Sequence, residues 1–123
     1  MEIQVGTTAR LGLVVSEADT AIALGSGDVP VLGTPRVVAL MEQAAVAALS
    51  GSLDEGVTSV GTRVAVDHLA ASPVGATVEA TAEVVAVDGR AVSFRLMVHE
   101  GDRPVAKGTH TRFVVDRQQF LGS

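Results

Sequence analysis

The chain has 123 residues, 47% of them hydrophobic, enough apolar material for a real core in one domain spanning 1–123. It has no Cys, Trp or Tyr, which excludes a disulfide scaffold, thiolate metal sites, a cysteine nucleophile and most base-stacking platforms. The net charge of −5 argues against nucleic acid as a partner. The opening MEIQVGTTAR lacks a signal peptide's basic and apolar segments, and no apolar run reaches the ~20 residues a bilayer requires, so a cytoplasmic protein with no membrane partner is expected.

In chain order, residues 7–15 (TTARLGLVV) and 19–24 (DTAIAL) are expected as short strands split by a polar turn at Ser16-Glu17-Ala18. A Gly-rich loop, Gly25-Ser26-Gly27-Asp28, follows. Thr34-Pro35 makes a good helix start, with the Thr hydroxyl as cap and Pro at the first turn, and the helix should run to about Ser50, ahead of Gly51. Between Val37 and Leu49 only Glu42 and Gln43 are not apolar, so this helix is expected to be central and enclosed nearly all round. From residue 58 the pattern switches to period two in four long segments, TSVGTRVAVDHLA, ATVEATAEVVAVDG, AVSFRLMVHEG and PVAKGTHTRFVVD. Short Gly-containing turns at 87–90 and 100–103, and a tight link at Ser72-Pro73-Val74-Gly75, predict an antiparallel meander. The fold class is α+β, a long antiparallel sheet wrapped around one apolar helix.

Three polar residues, Thr34, Glu42 and His68, stand in apolar surroundings, where an unpaired buried polar group costs roughly 1–3 kcal/mol. Taken singly, Thr34 is explained as a helix cap and His68 as a satisfied histidine. Glu42, within VVALMEQAAVAAL, has few local partners. His68 shares parity with Val60, Val64 and Val66, so it should point at the helix. Glu42 lies ~12 Å along the helix from Thr34 at ~1.5 Å per residue, too far for a direct hydrogen bond. A substrate carbonyl or a water in that gap, polarised by N–H groups near Thr34 while Glu42 acts below, is the geometry of acyl transfer.

The stretches from Gly33-Thr34 through Leu40-Met41-Glu42, VGTRVAVDHLAASPVGATV and KGTHTRFVVD resemble the hotdog-fold thioesterases of the fluoroacetyl-CoA thioesterase type, over most of the chain. The resemblance implies hydrolysis of an acyl-CoA substrate to a carboxylate and free CoA, in a homodimer with pockets at the subunit interface and with no cofactor. It implies Thr34, Glu42 and His68 as the catalytic set. Glu42 would attack the thioester carbonyl or draw a proton from water, His68 would handle protons towards the departing thiolate, and Thr34 would orient substrate, oxyanion or water.

Gly61, inside a strand, either permits close approach of the acyl group or marks a bulge. Arg36 and six further cations (Arg63, Arg90, Arg95, Arg103, Lys107 and Arg112) are candidates for CoA phosphates, with the loop Ala71-Ser72-Pro73 as a rim for the pantetheine arm. His99 and His110 have no partner at metal-ligand spacing, so no metal is expected. Family members that select fluoroacetyl groups carry an aromatic lid upstream of the Thr. Residues 25–33 (GSGDVPVLG) contain no Phe, which points to another acyl group. The alternative is a non-catalytic acyl-CoA-binding or sensing module. An enoyl-CoA hydratase would need an Asp-x-x-x-x-His pair that the helix lacks.

Overall fold

Alternation makes one face of each strand apolar, and in the computed structural model, which describes residues 2–122, Val78, Ala80, Ala82 and Val84 are all fully buried. They lie on β3 (Thr77–Asp88). With β1 (Thr8–Val14), β2 (Val57–His68), β4 (Ala91–Glu100) and β5 (Arg103–Asp116) it forms one antiparallel sheet in the order β1-β3-β4-β5-β2. The β3–β4 and β4–β5 hairpins turn at Gly89 and Gly101, whose φ values of 60° and 58° favour glycine.

The meander is confined to β3–β4–β5. The link after β2 does not close a hairpin; β2 crosses to the far edge and pairs with β5. Residues of that link bond elsewhere: the Ser72 carbonyl accepts from the Leu32 N–H at 2.8 Å and the Ala76 carbonyl from the Val15 N–H at 2.9 Å, so it is stitched across the end of the sheet.

The helix α2 (Thr34–Leu49) buries Val37, Leu40, Met41, Ala44, Ala45, Ala48 and Leu49, spaced by three and four, mainly on β1 and β3. Alanines on both surfaces bring helix and sheet close, and Phe94 and Leu96 fill the space between. The expected all-round enclosure does not hold within one chain. The sheet covers one side of the helix, leaving Gln43 exposed, Val46 47% exposed and Glu42 half-buried.

Residues 19–24 are not a strand. Asp19 closes a 3₁₀ turn (Glu17–Asp19) by accepting from the Ser16 N–H and hydroxyl at 2.8 and 2.9 Å, and the Thr20 hydroxyl then caps α1 (Ala21–Leu24) by accepting from the Ala23 N–H. Side-chain capping outweighs the apolar alternation of that segment. A short α3 (Arg117–Phe120) follows β5.

One irregularity positions the site. The β2–β5 register shifts between Gly61 and Arg63, a bulge that exchanges the faces of β2. Val64, Val66 and His68 share the inner face as expected. Val60 does not: it pairs with the exposed Phe113, while Ser59 and Gly61 turn towards the helix.

Candidate active site

At the start of α2 the cap is Gly33, not Thr34. Its backbone is extended, and a Cβ there would meet the Ala21 backbone at 3.1 Å and Leu24 Cδ1 at 2.9 Å, so glycine is what lets α1 pack on the helix start. Thr34 is the first helical residue, and its hydroxyl is 2.8 Å from His68 Nδ1 instead of capping the backbone. Pro35 has no N–H and the Arg36 N–H goes to the Gly33 carbonyl, so of the first three helix positions only Thr34 offers an amide that no backbone carbonyl takes among the described residues. The several N–H groups expected there reduce to one.

His68 Nε2 is buried and has no hydrogen-bond partner among the described residues. Burial holds the His68 imidazole below its usual pKa, with the Ala70 backbone acting in the opposite direction. The pair lines a cavity of about 360 Å³ together with Ser26, Asp28, Val29, Leu32 and Ala71.

Two turns along the helix, Glu42 meets a different set. Its Oε2 is 3.4 Å from Arg112 Nη1 and 3.9 Å from His110 Nε2, and its side chain is 39% exposed rather than sealed in. Gly61 lies directly against it: a Cβ on Gly61 would stand 2.7 Å from Glu42 Oε2, 3.2 Å from His110 Cε1 and 3.3 Å from Arg112 Nη1. Arg112 is fixed at its other nitrogens, Nε donating to Ser59 Oγ at 2.8 Å and Nη2 to the Ser59 carbonyl at 3.0 Å. Burial lowers its pKa, Glu42 opposes that, and the guanidinium stays cationic at any ordinary pH.

The three residues singled out from the sequence thus divide. Thr34 and His68 touch; Glu42 stands apart with Gly61, which borders the bulge and lies against the carboxylate. Arg36 is engaged with Asp19, Nε to Oδ1 at 3.1 Å, and Asp19 is held below the usual carboxylate range because the Ser16 and Arg36 hydrogen bonds outweigh its burial. Of the loop expected as a rim, Ala71 lines the cavity and Pro73 is exposed, while Ser72 is fully buried with its hydroxyl unpartnered among the described residues.

Among the phosphate candidates, Arg95 pairs with Glu83, Arg103 with Glu100 and the Ala71 carbonyl, and Arg112 belongs to the Glu42 cluster. The cluster of Arg112 and His110 around Glu42 was missed in the sequence, although both share parity with Val114 and so fall on the buried face of β5. Among the described residues no group of three or more His, Cys, Asp or Glu could hold a metal, and no helix is long and apolar enough to cross a membrane.

Residues 15–118 match the family described as fluoroacetyl-CoA-specific thioesterase. The chain is similar to the fluoroacetyl-CoA thioesterase of Streptantibioticus cattleyicolor, 42% identical over 90 residues that cover 73% of this chain and 65% of that relative. The chain therefore spans about two thirds of the curated relative's length. It superposes on a point mutant of a fluoroacetyl-CoA-specific thioesterase solved with fluoroacetate and CoA, with a TM-score of 0.88, 36% identity and coverage of 95% of this chain and 98% of that one. A hot-dog-like protein from Thermanaerovibrio acidaminovorans is similar too, with a TM-score of 0.87, 32% identity and coverage of 95% and 87%.

Proposed function

The chain belongs to the fluoroacetyl-CoA-specific thioesterase family, and we propose that it is an acyl-CoA thioesterase, splitting the thioester into a carboxylate and free CoA. The observation that carries this is the spacing of two reactive groups along one helix: at its start the Thr34 hydroxyl against the His68 imidazole from the end of β2 and, two turns on, a half-exposed carboxylate beside a guanidinium.

In this reading the thioester carbonyl lies between them. The Thr34 N–H and hydroxyl face its oxygen, where negative charge develops as the carbonyl becomes tetrahedral. Glu42 supplies the electron pair. By direct attack it forms a mixed anhydride and expels CoA thiolate, and water then cleaves the anhydride; as a base it takes one proton from the water that attacks. His68, neutral through burial, relays a proton to the departing sulfur, giving up its ring proton from one nitrogen as the other nitrogen takes one up from solvent. A single turnover in ¹⁸O-labelled water separates the two routes, because only the anhydride route can leave label in the Glu42 carboxylate.

A homodimer fits the surface of the single chain. β2 is an edge strand, and Val64 on it and Val46 on the open side of α2 are both exposed. A second copy at this edge would cover them together with Glu42, and elution as a monomer in gel filtration would count against it.

The deciding experiment is thiol release from a panel of acyl-CoAs, wild type against Glu42→Gln. Release by wild type that falls by about 10³-fold or more in Glu42→Gln supports the proposal. The loop from Gly25 to Gly33 holds no aromatic residue, so acetyl-CoA should be turned over within about tenfold of fluoroacetyl-CoA. Saturable binding of acyl-CoA without thiol release from any member would instead mark an acyl-CoA-binding module.

A further inference from the structure

We infer that His110 is a positioning residue for this reaction: it holds the Arg112 guanidinium off Glu42, so that the carboxylate is oriented without being tied up in a tight ion pair. The inference rests on the thioesterase reading.

Its basis is an assignment of protons that the partners dictate. His110 Nδ1 lies 2.7 Å from the Arg63 carbonyl oxygen, and Nε2 lies 3.2 Å from Arg112 Nη1. A carbonyl only accepts and a guanidinium only donates, so both contacts are hydrogen bonds only if the imidazole is neutral, with its proton on Nδ1 and its lone pair on Nε2. The bulge in β2 provides the first of them, since Arg63 is the residue at which the register shifts. The groups facing the ring are Arg63 through its carbonyl on β2, Arg112 on its own strand β5, Glu42 from α2, and the Phe94 ring from β4 at 5.9 Å between centroids. Burial lowers the His110 pKa and Arg112 lowers it further, against the Arg63 carbonyl and Glu42, so the ring is neutral at pH 7.

Arg112 cannot drift, because Ser59 holds Nε and Nη2. Nη1 alone is divided, 3.2 Å from His110 Nε2 and 3.4 Å from Glu42 Oε2. A full-strength guanidinium–carboxylate bond is ~2.7–2.9 Å long, so the contact to Glu42 is a slack one. Without the acceptor on His110, both N–H groups of the fixed Nη1 are left to Glu42, the half-exposed carboxylate closes on them, the ion pair tightens, and the carboxylate's electrons are less available for attack or proton abstraction. Protonating His110 ends the same division, because Nε2–H then repels Arg112 and faces the carboxylate.

The test compares wild type with His110→Phe, which fills the ring's volume but offers no acceptor, and His110→Gln, whose amide oxygen can still accept from Arg112. Rates are taken between about pH 5 and pH 9, on the best acyl-CoA of the panel. For His110→Phe we expect kcat about 10- to 100-fold lower, KM within about threefold, and the acid limb of the profile displaced to lower pH; His110→Gln should recover kcat to within about fivefold of wild type. Equal loss in both variants with the acid limb unmoved, or full activity in His110→Phe, overturns the inference while leaving thioesterase activity standing. Should His110→Phe fail to fold, the imidazole ¹⁵N shifts of wild type decide: a proton on Nδ1 supports the arrangement and a proton on Nε2 overturns it. Wild type that releases no thiol from any acyl-CoA sinks the thioesterase reading and this inference with it.

Discussion

The helix-start pair and the mid-helix cluster each contain a histidine kept below its usual pKa by burial, yet the two are wired differently. His68 has one nitrogen on a hydroxyl and the other unpartnered among the described residues, whereas His110 has both committed, one to a backbone carbonyl and one to a guanidinium. A half-occupied imidazole can accept or deliver a proton as the reaction proceeds. A fully occupied one can do so only by breaking a bond it already makes, which suits it to holding a neighbour in place. Equal residue types and similar burial therefore lead to different tasks, decided by what each second nitrogen touches.

The sharpest way to break this comparison is to remove the hydroxyl–imidazole pair. His68→Ala should lower kcat/KM by about 100-fold and Thr34→Val by about tenfold. The double variant should fall little further than His68→Ala alone, because the two act through one hydrogen bond. Combining Thr34→Val with His110→Phe should instead give losses that multiply, since no hydrogen bond joins the two groups. Multiplying losses in the first pair, or strong coupling in the second, would show that the helix does not divide into two units.

A smaller effect is expected at Gly61. The Cβ of Gly61→Ala would come closest to Glu42 Oε2, the tip of a flexible side chain, so the carboxylate yields and the backbone stays put. Activity should drop by about tenfold with the melting temperature nearly unchanged. Gly108→Ala makes the contrast: there the new Cβ runs into the Ala65 carbonyl and the Val66 backbone of the neighbouring strand, which only a shift of the sheet can relieve, and the melting temperature should fall first. If Gly61→Ala lost stability as Gly108→Ala does, the Gly61 contact would be a packing constraint and not a setting for Glu42.

Period and turn chemistry made the central helix and all five strands legible in the sequence, and the apolar context singled out Thr34, Glu42 and His68. The misreadings have local causes. DTAIAL alternates like a strand, but caps from Asp19 and Thr20 wind it into helical turns. Parity carried across Gly61 put Val60 on the wrong face, because the bulge that Gly61 allowed for was not carried into the count along the strand. The pairing of β2 with β5 is a long-range choice to which local pattern is blind, and it is this pairing that brings Gly61 and Ser59 to Arg112. The Glu42 cluster therefore depends on topology, whereas the Thr34–His68 pair needs only a strand end beside a helix start.

The smallest expected effect is on stability against pH, and it too separates the histidines. Both have folded-state pKa values below the ordinary 6.5, so as pH falls through that region the unfolded chain takes up protons first. Stability should be fully present above about pH 6.5 and decline below it, with the loss of the Asp19 hydrogen bonds following only at pH values below the ordinary carboxylate range. Charging His68 costs burial, offset in part by the Ala70 backbone, and its Nε2 gives up no partner among the described residues. Charging His110 costs burial, the bond from Arg112, and repulsion from a cation fixed 3.2 Å away. Denaturation midpoints at about pH 7.5 and pH 5.5 should therefore differ less in His110→Phe than in His68→Phe. The reverse order would mean that Arg112 moves aside when His110 is charged, and that the guanidinium is held by Ser59 less firmly than its two hydrogen bonds imply.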